Sequence, residues 1–139
     1  MKILLDTNVL LDVFLERKPF CDSSIRVMAL VERSKIEGWI CSTTVTTIYY
    51  LIEKALSRGE AETHTKNLLN IFHIAPVNLY VLQSAITTKF GDYEDGVLHQ
   101  AALSAGVDGI STRNTKDFQH SKLPVYTPEE LLSALNALE

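Results

Sequence analysis

The feature of this sequence that most constrains its fold is a repeated alternation of short apolar runs with longer segments of helical periodicity. We predict strands at residues 2–5, 39–41, 74–77, 109–111 and 125–126. We predict helices at residues 9–15, 22–36, 44–56, 61–72, 79–89 and 92–104, and a last helix after Thr127. Strands that alternate with helices form a parallel sheet covered on both faces. The sequence therefore predicts an α/β fold with three α/β/α layers and a central parallel sheet of short strands.

Local signals mark the ends of several predicted helices. Gly38 follows the helix at 22–36, and Gly106 follows the helix at 92–104, where glycine is a common stop. The last helix has the pattern of a capping box, with Thr127 as N-cap, Pro128 in the first turn and Glu130 three residues after the cap. These signals support the proposed order of elements.

Length and composition favour one domain over residues 1–139, because 139 residues is an ordinary domain size. No apolar stretch is typical of a membrane span, and the run after Met1 is too short for a signal peptide, so we expect a cytoplasmic protein without a membrane partner. Cys21 and Cys41 fit no metal-ligand spacing and are interpreted as reduced thiols. The four histidines show no zinc spacing and are interpreted as surface or filling residues.

The net charge of −4 is unusual for a protein that holds nucleic acid mainly by charge, since such proteins are normally basic. If this chain binds nucleic acid, a metal ion or a local basic rim must offset the acidic background. The net charge therefore argues against nucleic-acid binding by overall charge alone.

Acidic and amide side chains follow the predicted strands at the places where parallel sheets bind ligands. Asp6 ends the first strand, Asp92 and Asp95 open a helix, and Asn114 and Asp117 follow the fourth strand. The carboxyl ends of parallel strands meet at one edge of the sheet. Carboxylates brought together there repel one another, and a hard cation such as Mg²⁺ or Mn²⁺ removes that conflict. The sequence predicts one divalent-cation site at this edge.

Each acid also has a simpler interpretation when it is taken alone. Asp6 could cap the next helix, and Asp92, Glu94 and Asp95 could be favourable charges at a helix N-terminus. Asp117 could be an ordinary surface residue in a polar loop. The joint placement of all these residues at one edge favours a single site.

Three ordered motifs, ILLDTNVLLD, GDYEDGVLHQAA and ISTRNTKDF, resemble the PIN-domain family over nearly the whole chain. The chain is most similar to small bacterial proteins related to the toxin ribonucleases of toxin–antitoxin pairs. This resemblance implies a Mg²⁺- or Mn²⁺-dependent endoribonuclease that cleaves RNA. It assigns catalytic roles to Asp6, Asp95 and Asp117, and metal binding to the same acids with Asn114; Asp92 could complete the metal site.

The resemblance also suggests supporting residues around these acids. Asn8 is expected to buttress the loop that carries Asp6, and Thr112 to hydrogen-bond a ligand or a substrate phosphate. Arg113 and Lys116 flank the site and could contact phosphates, or could be solvated loop charges.

One departure from the family pattern concerns the third helix, where the family usually carries a glutamate. By alignment of the motifs, Tyr49 takes that place in this sequence, and a tyrosine is no carboxylate ligand. Glu53 lies one turn further and could substitute or could be a surface residue. This departure leaves open a second interpretation, a catalytically weak or inactive PIN-like module that binds RNA or protein. The resemblance further suggests an antitoxin partner and a homodimer.

Overall fold

A computed structural model describes residues 1–138 and contains one five-stranded sheet. The strands are β1 (Lys2–Leu5), β2 (Glu37–Cys41), β3 (His73–Ala75), β4 (Gly109–Ser111) and β5 (Val125–Tyr126). Their order across the sheet is β3-β2-β1-β4-β5, and every neighbouring pair is parallel. The predicted parallel sheet of short strands is confirmed.

Seven α-helices cover the two faces of this sheet. They are α1 (Thr7–Phe14), α2 (Cys21–Glu32), α3 (Ser42–Ala55), α4 (Arg58–Ile71), α5 (Leu79–Ile86), α6 (Tyr93–Ala105) and α7 (Pro128–Leu138). A short 3₁₀ helix, Thr115–Phe118, follows β4. None of the helices among residues 1–138 is long and apolar enough to cross a membrane.

The central strand β1 shows how the sequence creates two hydrophobic cores. Successive side chains of a strand point to opposite faces of the sheet. Ile3 and Leu5 therefore enter the core that α1, α2, α3, α4 and α7 cover, whereas Leu4 enters the core beneath α5 and α6. All three side chains are fully buried, and burial of each contributes roughly 2 kcal/mol to folding. The predicted three-layer α/β/α arrangement is confirmed.

The prediction that Gly38 ends a helix is wrong. Helix α2 ends earlier, at Glu32, and Ser34 takes a left-handed conformation with φ 57°. Gly38 instead lies in β2, where an added Cβ would come within 2.7 Å of Val31 and of the Phe72 ring. Glycine is required at this position because the core packs directly on the strand backbone.

Other local predictions concern the ends of elements. The capping box before α7 is confirmed, because Thr127 accepts a hydrogen bond from the Glu130 N–H and donates its own N–H to the Glu130 carboxylate. Gly106 closes α6 in the left-handed region, as predicted. Helix α5 ends at Ile86 instead of residue 89, and β3 ends at Ala75 instead of residue 77.

Among the histidines, His99 is buried in α6 and has a defined structural partner. Its Nε2 accepts a hydrogen bond of 3.0 Å from the backbone N–H of Lys122. Its ring packs against Phe90, and burial lowers the pKa of His99. This contact ties α6, which carries Asp95, to the segment that follows the 3₁₀ helix.

The strand order reverses between β1 and β4, and this reversal positions the candidate site. Chain segments that leave two such neighbouring strands diverge and open a crevice at their carboxyl ends. Here the backbone N–H of Asp6 donates to the carbonyl of Ser111 at 2.9 Å, which places the end of β1 beside the end of β4. The residues after both strands therefore face a shared crevice.

Candidate functional site

Asp6 is the most constrained acid of the crevice. It follows β1 directly and caps α1, because its Oδ1 accepts a hydrogen bond of 2.8 Å from the Thr7 N–H. Its Oδ2 accepts bonds from the Thr112 hydroxyl at 2.8 Å and from Asn8 Nδ2 at 3.2 Å. The Asp6 residue is only 8% exposed. These donors fix the carboxylate in one orientation.

The two residues that hold Asp6 are themselves tied to the chain after β4. Thr112 is fully buried, and its hydroxyl oxygen accepts a bond of 3.1 Å from the Asn114 N–H. Asn8 accepts a bond of 3.2 Å from the Arg113 N–H. Asn8 and Thr112 thus both hydrogen-bond the Asp6 carboxylate, and they connect the first motif to the third.

Helix α6 contributes the second group of acids. Asp92 is its N-cap and accepts a bond of 3.2 Å from the Asp95 N–H. Asp95 lies half-buried in the first turn and projects into the same crevice as Asp6. Asp92 and Glu94 are exposed at its rim. One short helical turn thus places three carboxylates along one side of the crevice.

The loop after β4 contributes the third group. Asn114 and Asp117 are exposed and line the crevice, whereas Lys116, which is also exposed, is not among its lining residues. We call the whole depression the acidic cleft. It is lined by Asp6, Thr7, Asn8, Leu11, Arg17, Thr43, Thr44, Thr47, Asp92, Glu94, Asp95, Leu98, Asn114 and Asp117.

The acids of the cleft disturb one another electrostatically. Burial raises the pKa of Asp6, and the neighbouring charge of Asp117 acts in the same direction. Partial burial raises the pKa of Asp95 to about 7, with further contributions from Asp6, Asp92, Asp117 and Glu94. Charged groups on three separate elements therefore repel one another at one place.

The interpretation of Tyr49 as the α3 residue facing the acids is wrong. Residues 43, 44 and 47 share one side of a helix, whereas residue 49 lies two positions past Thr47, on another side. Thr43, Thr44 and Thr47 line the cleft, and Tyr49 packs against the core. Glu53 is exposed and is not among the cleft residues. Within residues 1–138, α3 therefore presents threonines to the cleft and no carboxylate.

An ion pair below the cleft was missed by reasoning from the sequence. Asp12 is 1% exposed and accepts two bonds from the Arg113 guanidinium, at 2.8 and 3.1 Å. The same guanidinium lies over the Phe20 ring, 4.1 Å from its centre. Arg113, which we expected to be able to contact phosphates, is thus engaged by protein groups. Asp12 is a single acid in the motif DTNVLLD, and no local sequence pattern indicates that Arg113 is its partner.

The donor set of the cleft suits a hard divalent cation, although its acids are not arranged as a complete ligand cage. Among residues 1–138, no three histidine, cysteine, aspartate or glutamate side chains form a ready ligand cluster. Mg²⁺ does not require such a cluster, because it commonly keeps several waters and binds through one or two carboxylates. Asp6 and Asp95 satisfy that requirement chemically, and the repulsion around Asp95 supplies a reason for a cation to bind.

With this geometry in view, comparison with known proteins defines the family. A family model described as a PIN domain matches residues 2–116, and the chain belongs to the PIN-domain family. At the sequence level, the chain is 28% identical to ribonuclease VapC1 of Aquifex aeolicus (strain VF5). That match covers 99% of this chain and 97% of the relative.

Solved structures share the fold at lower sequence identity. A toxin–antitoxin complex from Klebsiella pneumoniae matches with a TM-score of 0.68 and 22% identity, covering 91% of this chain and 97% of that chain. VapBC2 from Rickettsia felis, bound to a DNA fragment from its promoter, matches with a TM-score of 0.66 and 14% identity, covering 91% and 98%. These matches agree with the three-layer fold described above.

The raised pKa of Asp95 predicts how stability depends on pH in the absence of metal. The folded protein retains a proton on Asp95 up to about pH 7, whereas an unperturbed aspartate ionises near 3.8. The folded state thus binds more protons in this window, and the free energy of unfolding falls as pH rises from about 4 to about 7. Asp95→Asn should reduce this fall, measured by urea unfolding in EDTA.

Glu53→Gln is the matched control, since it removes an exposed carboxylate outside the cleft. It should leave the pH dependence of the wild type in place. A pH dependence that is the same in Asp95→Asn and in the wild type would contradict the repulsion inferred for Asp95.

Proposed function

We propose that this chain is a Mg²⁺- or Mn²⁺-dependent endoribonuclease of the toxin type. The observation that carries the proposal is the convergence of Asp6, Asp95 and Asp117, from three separate elements, in one cleft at the carboxyl ends of β1 and β4. The similarity to ribonuclease VapC1 of Aquifex aeolicus, over nearly the full length of both chains, supports RNA as the substrate.

Asp6, Asp95 and Asp117 would hold the metal ion, with Asn114 and Asp92 as further oxygen donors at the rim. A bound divalent ion supplies Lewis acidity that activates water and stabilises negative charge at phosphorus. Thr112 and Asn8 keep the Asp6 carboxylate oriented, so that its lone pairs are directed before substrate arrives. Asp6, Asp95 and Asp117 are the residues to which we assign catalysis.

We also infer that a protein antitoxin covers the cleft in the cell. The Klebsiella pneumoniae neighbour is a toxin–antitoxin complex, and the Rickettsia felis neighbour is VapBC2 on a promoter DNA fragment. An antitoxin that inserts a basic side chain among these acids would relieve their repulsion as a metal ion does. Self-association as a homodimer stays a prediction.

A second candidate function is a PIN-like module that binds RNA or protein without cleaving it. We call the three α3 residues that line the cleft, Thr43, Thr44 and Thr47, the threonine wall. This wall favours the alternative, because the family usually carries a glutamate early in that helix. A site with fewer carboxylates binds a divalent ion less tightly, since charge count tunes the affinity of such sites. Cleavage is therefore the property that separates the two candidates.

The proposal predicts metal-dependent cleavage of RNA. The wild-type protein should cleave a pool of labelled RNAs in Mn²⁺ and not in EDTA, as read on a denaturing gel. Asp6→Asn removes one ligand oxygen and its charge, and should reduce the cleavage rate by about a hundredfold or more while the protein stays folded. Glu53→Gln should cleave like the wild type.

Two results would contradict the ribonuclease assignment. One is the absence of cleavage by folded wild-type protein in either metal, which would favour the binding module. The other is cleavage that persists equally in EDTA or in Asp6→Asn, which would place the activity outside the acidic cleft or in a contaminant.

The threonine wall leads to a second prediction. Thr47→Glu places a carboxylate on the cleft side of α3, where the family pattern implies one. Added repulsion should lower the melting temperature in EDTA, and added Mn²⁺ should raise it more in this variant than in the wild type. Tyr49→Glu is the matched control and should show no larger response to Mn²⁺ than the wild type. An equal response in all three proteins would contradict the assignment of Thr47 to the cleft wall.

A further inference from the structure

The lining of the acidic cleft includes a positive charge as well as acids. Among residues 1–138, Arg17 is the one basic side chain that lines this cleft. It lies in the segment between α1 and α2, and its side chain is 40% exposed. An arginine in this position is partly solvated and accessible from the cleft.

The buried carboxylate of Asp12 does not fully engage Arg17. Asp12 accepts two short hydrogen bonds from Arg113. The positive charge of that guanidinium compensates the single negative charge of the Asp12 carboxylate. Arg17 Nη1 lies 3.8 Å from Asp12 Oδ1, a distance longer than a hydrogen bond. Two guanidinium groups therefore share one carboxylate, and the positive charge of Arg17 is left available to the cleft.

The α3 residues that line the cleft carry no negative charge. The hydroxyl of Thr47 donates to the carbonyl of Thr43 at 3.0 Å, and the hydroxyls of Thr7 and Thr44 are hydrogen-bonded to each other at 3.0 Å. The contribution of α3 to the cleft is therefore neutral. The carboxylates of the cleft come from Asp6, from α6 and from the loop after β4.

An RNA phosphodiester carries a negative charge and is repelled by the carboxylates of the cleft. The guanidinium of Arg17 offers it a favourable contact, because arginine binds phosphate oxygens through paired N–H donors. Arg113 does not compete for this role, since Asp12 and the Phe20 ring engage its guanidinium. Arg17 is thus the cleft residue best suited to bind a backbone phosphate.

We propose that Arg17 binds the backbone phosphate of RNA within the acidic cleft. Arg17 is then a substrate-binding residue of the proposed ribonuclease reaction, and this inference rests on that proposed function. The charge of Arg17 draws the phosphodiester towards the acids that would hold the metal.

The test measures RNA binding separately from cleavage. In the Asp6→Asn background, in Mn²⁺, the affinity for a fluorescently labelled single-stranded RNA is measured by anisotropy at several salt concentrations. Arg17→Gln should weaken binding roughly tenfold, because one charge-assisted contact is lost. It should also reduce the slope of log K against log salt by about 0.7, the value for one phosphate contact on a single strand.

Two matched variants in the same background sharpen the result. Arg17→Lys keeps the charge and should retain most of the salt slope. Lys66→Gln removes an exposed cation of α4, outside the cleft, and should leave affinity and slope as in the parent. Thermal melts establish that each variant is folded.

The outcomes separate this inference from the ribonuclease proposal. Unchanged affinity and slope in Arg17→Gln, with wild-type protein that cleaves RNA, would overturn the role of Arg17 alone. A reduced slope with wild-type protein that does not cleave would support Arg17 and overturn the ribonuclease assignment. Tighter binding by Arg17→Gln would overturn the inference, because it would identify Arg17 as an internal counter-ion of the acids. The absence of RNA binding by the parent would overturn it as well.

Discussion

The fixed carboxylate of Asp6 is the element on which the rest of the cleft depends. It caps α1, accepts bonds from Thr112 and Asn8, and lies beside β4 through its backbone N–H. Burial disfavours its charged form, and the neighbouring acids add repulsion. A buried carboxylate of this kind needs donors or a cation to remain ionised, and the chain supplies the donors locally. A divalent ion would supply the remaining stabilisation.

The sheet topology explains why the acids meet. The order β3-β2-β1-β4-β5 reverses beside β1, so the segments after β1 and β4 border one crevice. Helix α6 begins at the same edge and contributes Asp95. The charge in this crevice is mixed, because Arg17 lines it together with the acids and with the neutral threonines of α3.

Much of this arrangement could be predicted from the sequence, and the reasons are physical. Strand alternation and helix periodicity depend on neighbouring residues, so the parallel sheet and the edge that carries Asp6 and Asp95 were predictable. The side of α3 that faces the cleft depends on the residue at which the helix begins, which is Ser42. As a result, Thr47 lines the cleft and Tyr49 packs against the core. Gly38 was misread because its close contact with Phe72 joins distant segments. The ion pair of Asp12 with Arg113 spans 101 positions and could not be inferred from local patterns.

The proposed function depends on the binding of a divalent cation to the acidic cleft through Asp6. The most direct test is calorimetric titration of the metal-free protein with Mn²⁺, in the wild type, Asp6→Asn and Glu53→Gln. We predict saturable binding to the wild type and to Glu53→Gln, and binding that is lost or severely weakened in folded Asp6→Asn. Equal binding to Asp6→Asn, or no binding to the wild type, would contradict the claim.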